Sequence, residues 1–280
     1  MPFRLAHISD VHVSAPSSTP SPASTSFFKH VATNKRLLGW LTLRTARGAD
    51  AYPPAVFAAA LADILFAKYF GDVATPDMNF GRPYEDEDHL PREAGFPYVK
   101  LLGPAKAIAL VCLNSGVATS AFESCGTVGA AQAAAADAAC GAAVEAGARF
   151  LVVAVHHPPR VCHGAWKEAN RGLGDIWRLT RLCARWEVGL LLHGHNHVPY
   201  RGWMDGSPST LIADAGSGTY VGGGTDVMAR YNVYEIDEGG GGLVGISARV
   251  WDPSTEGFST LPLGIPPRPA GVVPAEGGGG

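Results

Sequence analysis

"LLHGHNHVP", residues 191–199, decides how the chain is read. An apolar run reaches His193, and His195 and His197 follow before Pro199 closes the stretch. Such a run reads as a buried strand. Three imidazoles at alternate positions at its end have no packing purpose. Residues i and i+2 of an extended chain project to the same side, so His195 and His197 are expected to converge.

Two other apolar runs end in the same way. "ISDVHVS" carries Asp10 and His12, and "LVVAVHHPP" carries His156 and His157. In open α/β sheets, sites form beyond the carboxyl ends of strands. Asp10, His12, His156, His195 and His197 are therefore expected to cluster at one end of the sheet. A carboxylate with imidazoles suits manganese, iron, zinc or cobalt, and this many ligand candidates leaves room for two ions. Taken singly, Asp-x-His reads as a polar loop and His-His-Pro-Pro as a turn. The three stretches together point to a metal centre.

The rest of the chain reads as alternating strands and helices. Strands are expected at 3–9, 98–102, 106–113, 149–155, 188–194, 209–214, 229–236 and 243–251. Helices are expected at 53–70, in the Ala-rich stretch ended by Gly147, and at 174–186. Gly239 to Gly242 read as a hairpin turn. This pattern is an α/β class with an antiparallel portion near the C-terminus. Residues 1–255 form the domain, with a loop and arm insertion at 14–52. Residues 256–280 read as a flexible Pro/Gly-rich tail.

Composition narrows the function classes. The chain has 280 residues, 46% hydrophobic and 17% charged, enough for a large buried core. A formal charge of −3 gives no nucleic-acid signature. The five cysteines are odd in number and form no CxxC pair, which reads as reduced thiols in a cytoplasmic protein. The N-terminus shows no signal peptide, and no stretch reads as a transmembrane segment. Oligomeric state is not encoded in any of these features.

The ordered motifs "DVH" (10–12), "HHP" (156–158) and "GHNH" (194–197) resemble those of the calcineurin-like metallophosphoesterase family. Its bacterial phosphodiesterase-like members are also similar through "FPYVKLLGPAKAIALVCLNSG", the helix containing Gln132, and "RGLGDIWRLTRLCARWEVGLLLHGH". The resemblance implies an α/β/β/α sandwich of mixed sheets and hydrolysis of phosphate esters by hydroxide attack at a di-metal site. It implies that Asp10, His12 and His197 hold one ion, and His156 and His195 the other. His157 would stand behind these ligands or face substrate. His193 takes a structural role.

Two family motifs are absent. Among the asparagines only Asn196 precedes a histidine, and that pair belongs to "GHNH". The GNH motif and its catalytic histidine therefore have no counterpart. "FGDVATP" offers Asp72 as a candidate for the bridging aspartate of the GD motif, yet "FAKYFGD" continues a helix instead of leading a strand. This implies deletion of a segment carrying two central strands, with residues 54–70 forming one helix and Asp72 just beyond it. The complete family holds two divalent ions, of manganese, iron or zinc type. The deletion implies one here, and impaired activity. Three functions follow: a phosphohydrolase acting on a small phosphate ester, a non-catalytic remnant holding one metal or none, and a metal-binding scaffold whose basic 29–47 arm engages a partner.

Overall fold

The computed structural model describes residues 2–7, 77–80, 95–116, 124–159, 171–221 and 227–268. These form a mixed α/β structure with two sheets. The larger sheet is built from β2 (Met78–Asn79), β3 (Tyr98–Leu102), β4 (Ile108–Cys112), β5 (Phe150–Ala154), β6 (Leu190–His193), β7 (Tyr200–Met204) and β8 (Ser207–Asp214). Its order is β2-β3-β4-β5-β6-β8-β7. Strands β4, β5, β6 and β8 run parallel, and antiparallel pairs finish both edges. The smaller sheet is antiparallel: β1 (Phe3–His7), β9 (Arg230–Asp237), β10 (Gly242–Asp252) and β11 (Gly257–Pro262), in the order β1-β9-β10-β11.

The central strands are apolar on both faces because both faces are covered. In β5, Phe150 and Val152 point toward the smaller sheet and pack with Tyr234, Ile236 and Ile246. Leu151 and Val153 point the other way, against two helices, α1 (Ala130–Glu145) and α2 (Ile176–Arg185). Helix α1 buries Ala136, Ala139, Cys140 and Ala143, one face at helical spacing, and these small residues let it lie close on the sheet. Gly147, at φ 99°, follows its end as a left-handed stop. The described layers are thus helix, sheet, sheet. Among the described residues no helix covers the outer face of the smaller sheet.

One carboxylate ties the two helices together. Asp175, just before α2, accepts the backbone N–H groups of Val128 (2.9 Å) and Gly129 (2.8 Å), just before α1. Burial opposes ionisation of Asp175, but hydrogen bonds from the Val128 and Gly129 amides, the Thr127 side chain and its own backbone together outweigh it and hold its pKa below the usual value.

Expected strand positions agree with the structure to within a few residues. Four readings need correction. The three ligand-bearing strands do not share one sheet: β1 pairs with β9 in the smaller sheet, while β5 and β6 are parallel neighbours in the larger. Strand β7 was not expected, although Asp205-Gly206 marks its hairpin to β8, with Gly206 at φ 81°. The proposed 256–280 tail begins with an ordered strand, β11, which pairs with β10 from Ser247 to Asp252. Residues 263–268 then strap across β7. Arg201 Nη1 donates to the carbonyls of Leu263 (3.0 Å) and Gly264 (2.7 Å), and Trp203 Nε1 donates to those of Pro266 and Pro267. Pro and Gly here end a strand instead of signalling a loose tail. The fourth correction concerns the histidine loop, below. The expected 53–70 helix, the 14–52 arm, Asp10, His12 and Asp72 lie outside the described residues.

Candidate metal centre

Strands β5 and β6 are parallel and adjacent, with Ala154 opposite Leu192. Their carboxyl ends therefore deliver two loops side by side. The ladder continues past the strands: Val155 N–H donates to Leu192 O (3.0 Å), and Gly194 N–H donates to His156 O (3.1 Å). This backbone clasp fixes the "HHP" loop against the "GHNH" loop.

Within the second loop the expected alternation fails. The strand ends at His193, and His195 and His197 have φ 74° and φ 58°. Left-handed backbone is uncommon for residues other than glycine. Held in a folded protein, it costs about 1–3 kcal/mol at each position. His195 is therefore aimed by a tight loop, not by strand periodicity.

The loop brings His195 onto the other histidines. Ring centroids lie 5.0 Å apart for His156 and His195, 4.7 Å for His157 and His195, and 5.1 Å for His156 and His157. His195 Nδ1 lies 3.1 Å from His156 Nε2. The other nitrogen of His195, Nε2, is 3.2 Å from Ser124 Oγ. If that contact takes up an Nε2–H, Nδ1 keeps its lone pair facing His156.

His157 is held differently. Its Nδ1 lies 2.8 Å from Ser115 Oγ, and its backbone N–H donates to the same oxygen at 3.1 Å. Both side chains are buried. Gly126 leaves room for the ring, since a Cβ there would strike His157 and the Ser115 carbonyl. His157 thus packs behind the His156–His195 pair.

Burial keeps the His195 and His157 rings neutral. It pushes His195 down to about 3, aided by the charges of His157, His156 and Arg171. It pushes His157 down to about 4, aided by His156. Neutral imidazole is the form that binds metals.

Beneath the pair lies a buried polar cluster. His193 Nδ1 is 3.2 Å from Gly194 O and 3.4 Å from Asp214 Oδ2, with both side chains fully buried. Burial lowers the His193 pKa to about 4, so the ring in this contact is neutral. His7, the last residue of β1, is also driven down to about 3, by burial first and then by His193. The end of β1 therefore faces the end of β6 across the two sheets, and Asp10 and His12 follow His7 shortly in the sequence. Residues the sequence reading missed are His7, Ser115, Ser124, Gly126 and Asp214. Their partners are 21 to 71 positions away or, for His7, on another sheet, and no local pattern announces them.

The donor set fits half of a metal site. An imidazole nitrogen binds zinc at about 2.0–2.1 Å, so two nitrogens sharing one ion stand about 3 Å apart. The separation of His156 Nε2 and His195 Nδ1 matches this. Among the described residues no group of three or more His, Cys, Asp or Glu side chains is arranged to hold an ion. His197 lies in the same loop as His195. Among the described residues, no helix is long and apolar enough to cross a membrane, and Cys112, Cys125, Cys140 and Cys183 are free thiols.

No family model and no curated protein matches the chain. Solved structures do resemble it distantly. A purple acid phosphatase from yellow lupin (Lupinus luteus) seeds is 10% identical with a TM-score of 0.42, covering 62% of this chain and 34% of that one. A dimetal phosphatase from Danio rerio is 9% identical with a TM-score of 0.40, covering 59% and 60%. Zinc-bound Vps29 from Entamoeba histolytica is 16% identical with a TM-score of 0.21, covering 33% and 48%. The chain spans about a third to three fifths of the length of these structures. At that distance, the functional reading rests on the chain's own histidines.

Proposed function

We propose that the chain is a metal-dependent phosphohydrolase of the calcineurin-like metallophosphoesterase type, acting on a small phosphate ester with impaired activity. The observation that carries this reading is the pair of ring nitrogens, His156 Nε2 and His195 Nδ1, facing each other at 3.1 Å. They come from two motifs 39 positions apart. His156 and His195 would hold one divalent ion. Asp10, His12 and His197 would hold a second, with Asp72 the remaining carboxylate candidate. Such an ion supplies Lewis acidity toward a phosphoryl oxygen and toward water. The chain's own part is to orient the ligand pair through Ser124 and to back it with His157.

Impairment follows from what the sequence lacks. The pair carries no negative charge, so it holds a cation weakly without a bridging carboxylate. No histidine of a GNH motif is present to assist the leaving group.

The test loads the purified chain with manganese and measures bound metal and turnover of bis(p-nitrophenyl) phosphate beside His195→Ala. Weak turnover abolished by the substitution supports the proposal. Bound metal without turnover favours a non-catalytic remnant. A rate typical of complete family members, lost in His195→Ala, would overturn the deletion reading and promote Asp72.

A further inference from the structure

We propose that the cavity beside the histidine loop is a subsite for a second anionic group, a carboxylate or a further phosphate, carried by the substrate. The cavity has a volume of about 370 Å³, within the range of small-molecule pockets. It begins at Pro199, at the end of the stretch that carries His195 and His197, and is floored by Asp214 and Asn232. Asp214 reaches His193 on its other side. The cavity therefore adjoins the proposed metal centre through both a loop and a buried side chain.

Its charge favours an anion. Arg201 and Arg230 line it against the single carboxylate of Asp214, and its other lining residues are uncharged. Burial of Arg201 pulls its pKa below the usual arginine value, as expected for a guanidinium stripped of water. Its Nη1 is spent on the carbonyls of Leu263 and Gly264. A guanidinium carries five donors in a fixed fork, so this contact anchors Arg201 at the wall with donors left over.

The cavity lining also carries an unsatisfied acceptor. Asn232 is 1% exposed and donates from Nδ2 to Asp214 O (3.3 Å) and to Tyr234 Oη (3.1 Å). Its Oδ1 is buried with no hydrogen-bond partner. An unsatisfied buried acceptor costs free energy until something donates to it. The opposite wall is apolar, built from the 263–267 strap, so the group bearing the anion can be an apolar alcohol.

The inference takes its substrate from the phosphohydrolase reading, so its test has two arms. In the first, the chelator-treated full chain is titrated calorimetrically with inorganic phosphate and, separately, with malonate. With metal removed, binding reports the cavity and not the histidine pair, and the two probes separate phosphate from carboxylate. Saturable binding of at least one is expected, weakened about tenfold or more in Arg201→Gln and unchanged in His195→Ala. Arg230→Gln should act likewise if its circular dichroism is native; the half-buried Arg201 decides if it is not. No binding, or binding that Arg201→Gln leaves intact, overturns the subsite. In the second arm the manganese-loaded chain receives bis(p-nitrophenyl) phosphate and 4-carboxyphenyl 4-nitrophenyl phosphate. A lower KM for the carboxylated diester is expected, with the difference erased in Arg201→Gln. Equal KM values in the unaltered chain overturn the subsite. Anion binding without turnover of either diester overturns the phosphohydrolase reading and leaves the subsite standing.

Discussion

Ser124 shows how much of the candidate site depends on single distant contacts. Its hydroxyl meets His195 Nε2 at 3.2 Å, opposite the nitrogen that faces His156. Groups that orient a ligating histidine typically account for ten- to a hundredfold in metal affinity. Ser124→Ala is therefore expected to weaken manganese binding by about ten- to a hundredfold. Ser124→Thr, which keeps the hydroxyl, should restore it, and thermal stability should change little in either. Equilibrium dialysis beside a melting curve reads both. A loss of affinity that Ser124→Thr does not rescue would rule out the hydroxyl as the cause. The buried histidines predict a pH dependence of stability as well. Burial holds His7, His157, His193 and His195 down to about 3 to 4 in the folded chain, against the ordinary histidine value of 6.5. Between these limits the unfolded chain binds more protons than the folded one, so stability rises with pH. It is fully present above about 6.5 and lost as pH falls toward 4. Chelator-treated protein should accordingly melt at steadily lower temperature from pH 6.5 downward. A melting temperature flat across that window would show that these rings are not buried in the neutral form.

At the scale of elements, the helices are joined by a carboxylate and the C-terminal strand by its edge. Asp175 accepts the amides of Val128 and Gly129, the two residues just before α1. Hydrogen bonds to a charged group contribute about 1.5–3 kcal/mol. Asp175→Ala should lower the urea midpoint by an equivalent amount with an unchanged slope. An unchanged midpoint would mean that water caps the amides equally well. Strand β11 pairs with β10, and its extension ties down Arg201 and Trp203. Truncation after Glu256 would bare the edge of β10 and remove the cavity's apolar wall. Exposed edges invite association, so the truncated chain should aggregate and lose anion binding in the cavity. A soluble truncated chain with the full melting temperature would restore the reading of 256–280 as a dispensable tail.

For the molecule as a whole, the missing motifs set the expectation of metal content. The full chain should bind fewer than two manganese ions per protein at stoichiometric loading. On the proposed phosphohydrolase reading, any phosphodiesterase rate should fall well below that of proteins carrying all the metallophosphoesterase motifs, since losing one preorganised stabiliser of developing charge costs about a hundredfold or more. Metal analysis after desalting, beside the turnover assay, checks both, and two tightly held ions would contradict it. What the sequence determined by itself was chemistry and class: imidazoles after apolar runs, an alternation of strands and helices, and the absence of any second Asn-His pair. Those properties are local, carried by residue type and spacing along the chain. Only the tertiary structure decided that β1 lies in a different sheet from β5 and β6, because strand pairing depends on partners far along the chain. It also decided which nitrogen of His195 faces His156, because Ser124, 71 positions away, occupies the other. The left-handed turn at His195 belongs with these, since a backbone conformation that the residue itself disfavours is imposed by the packing around it.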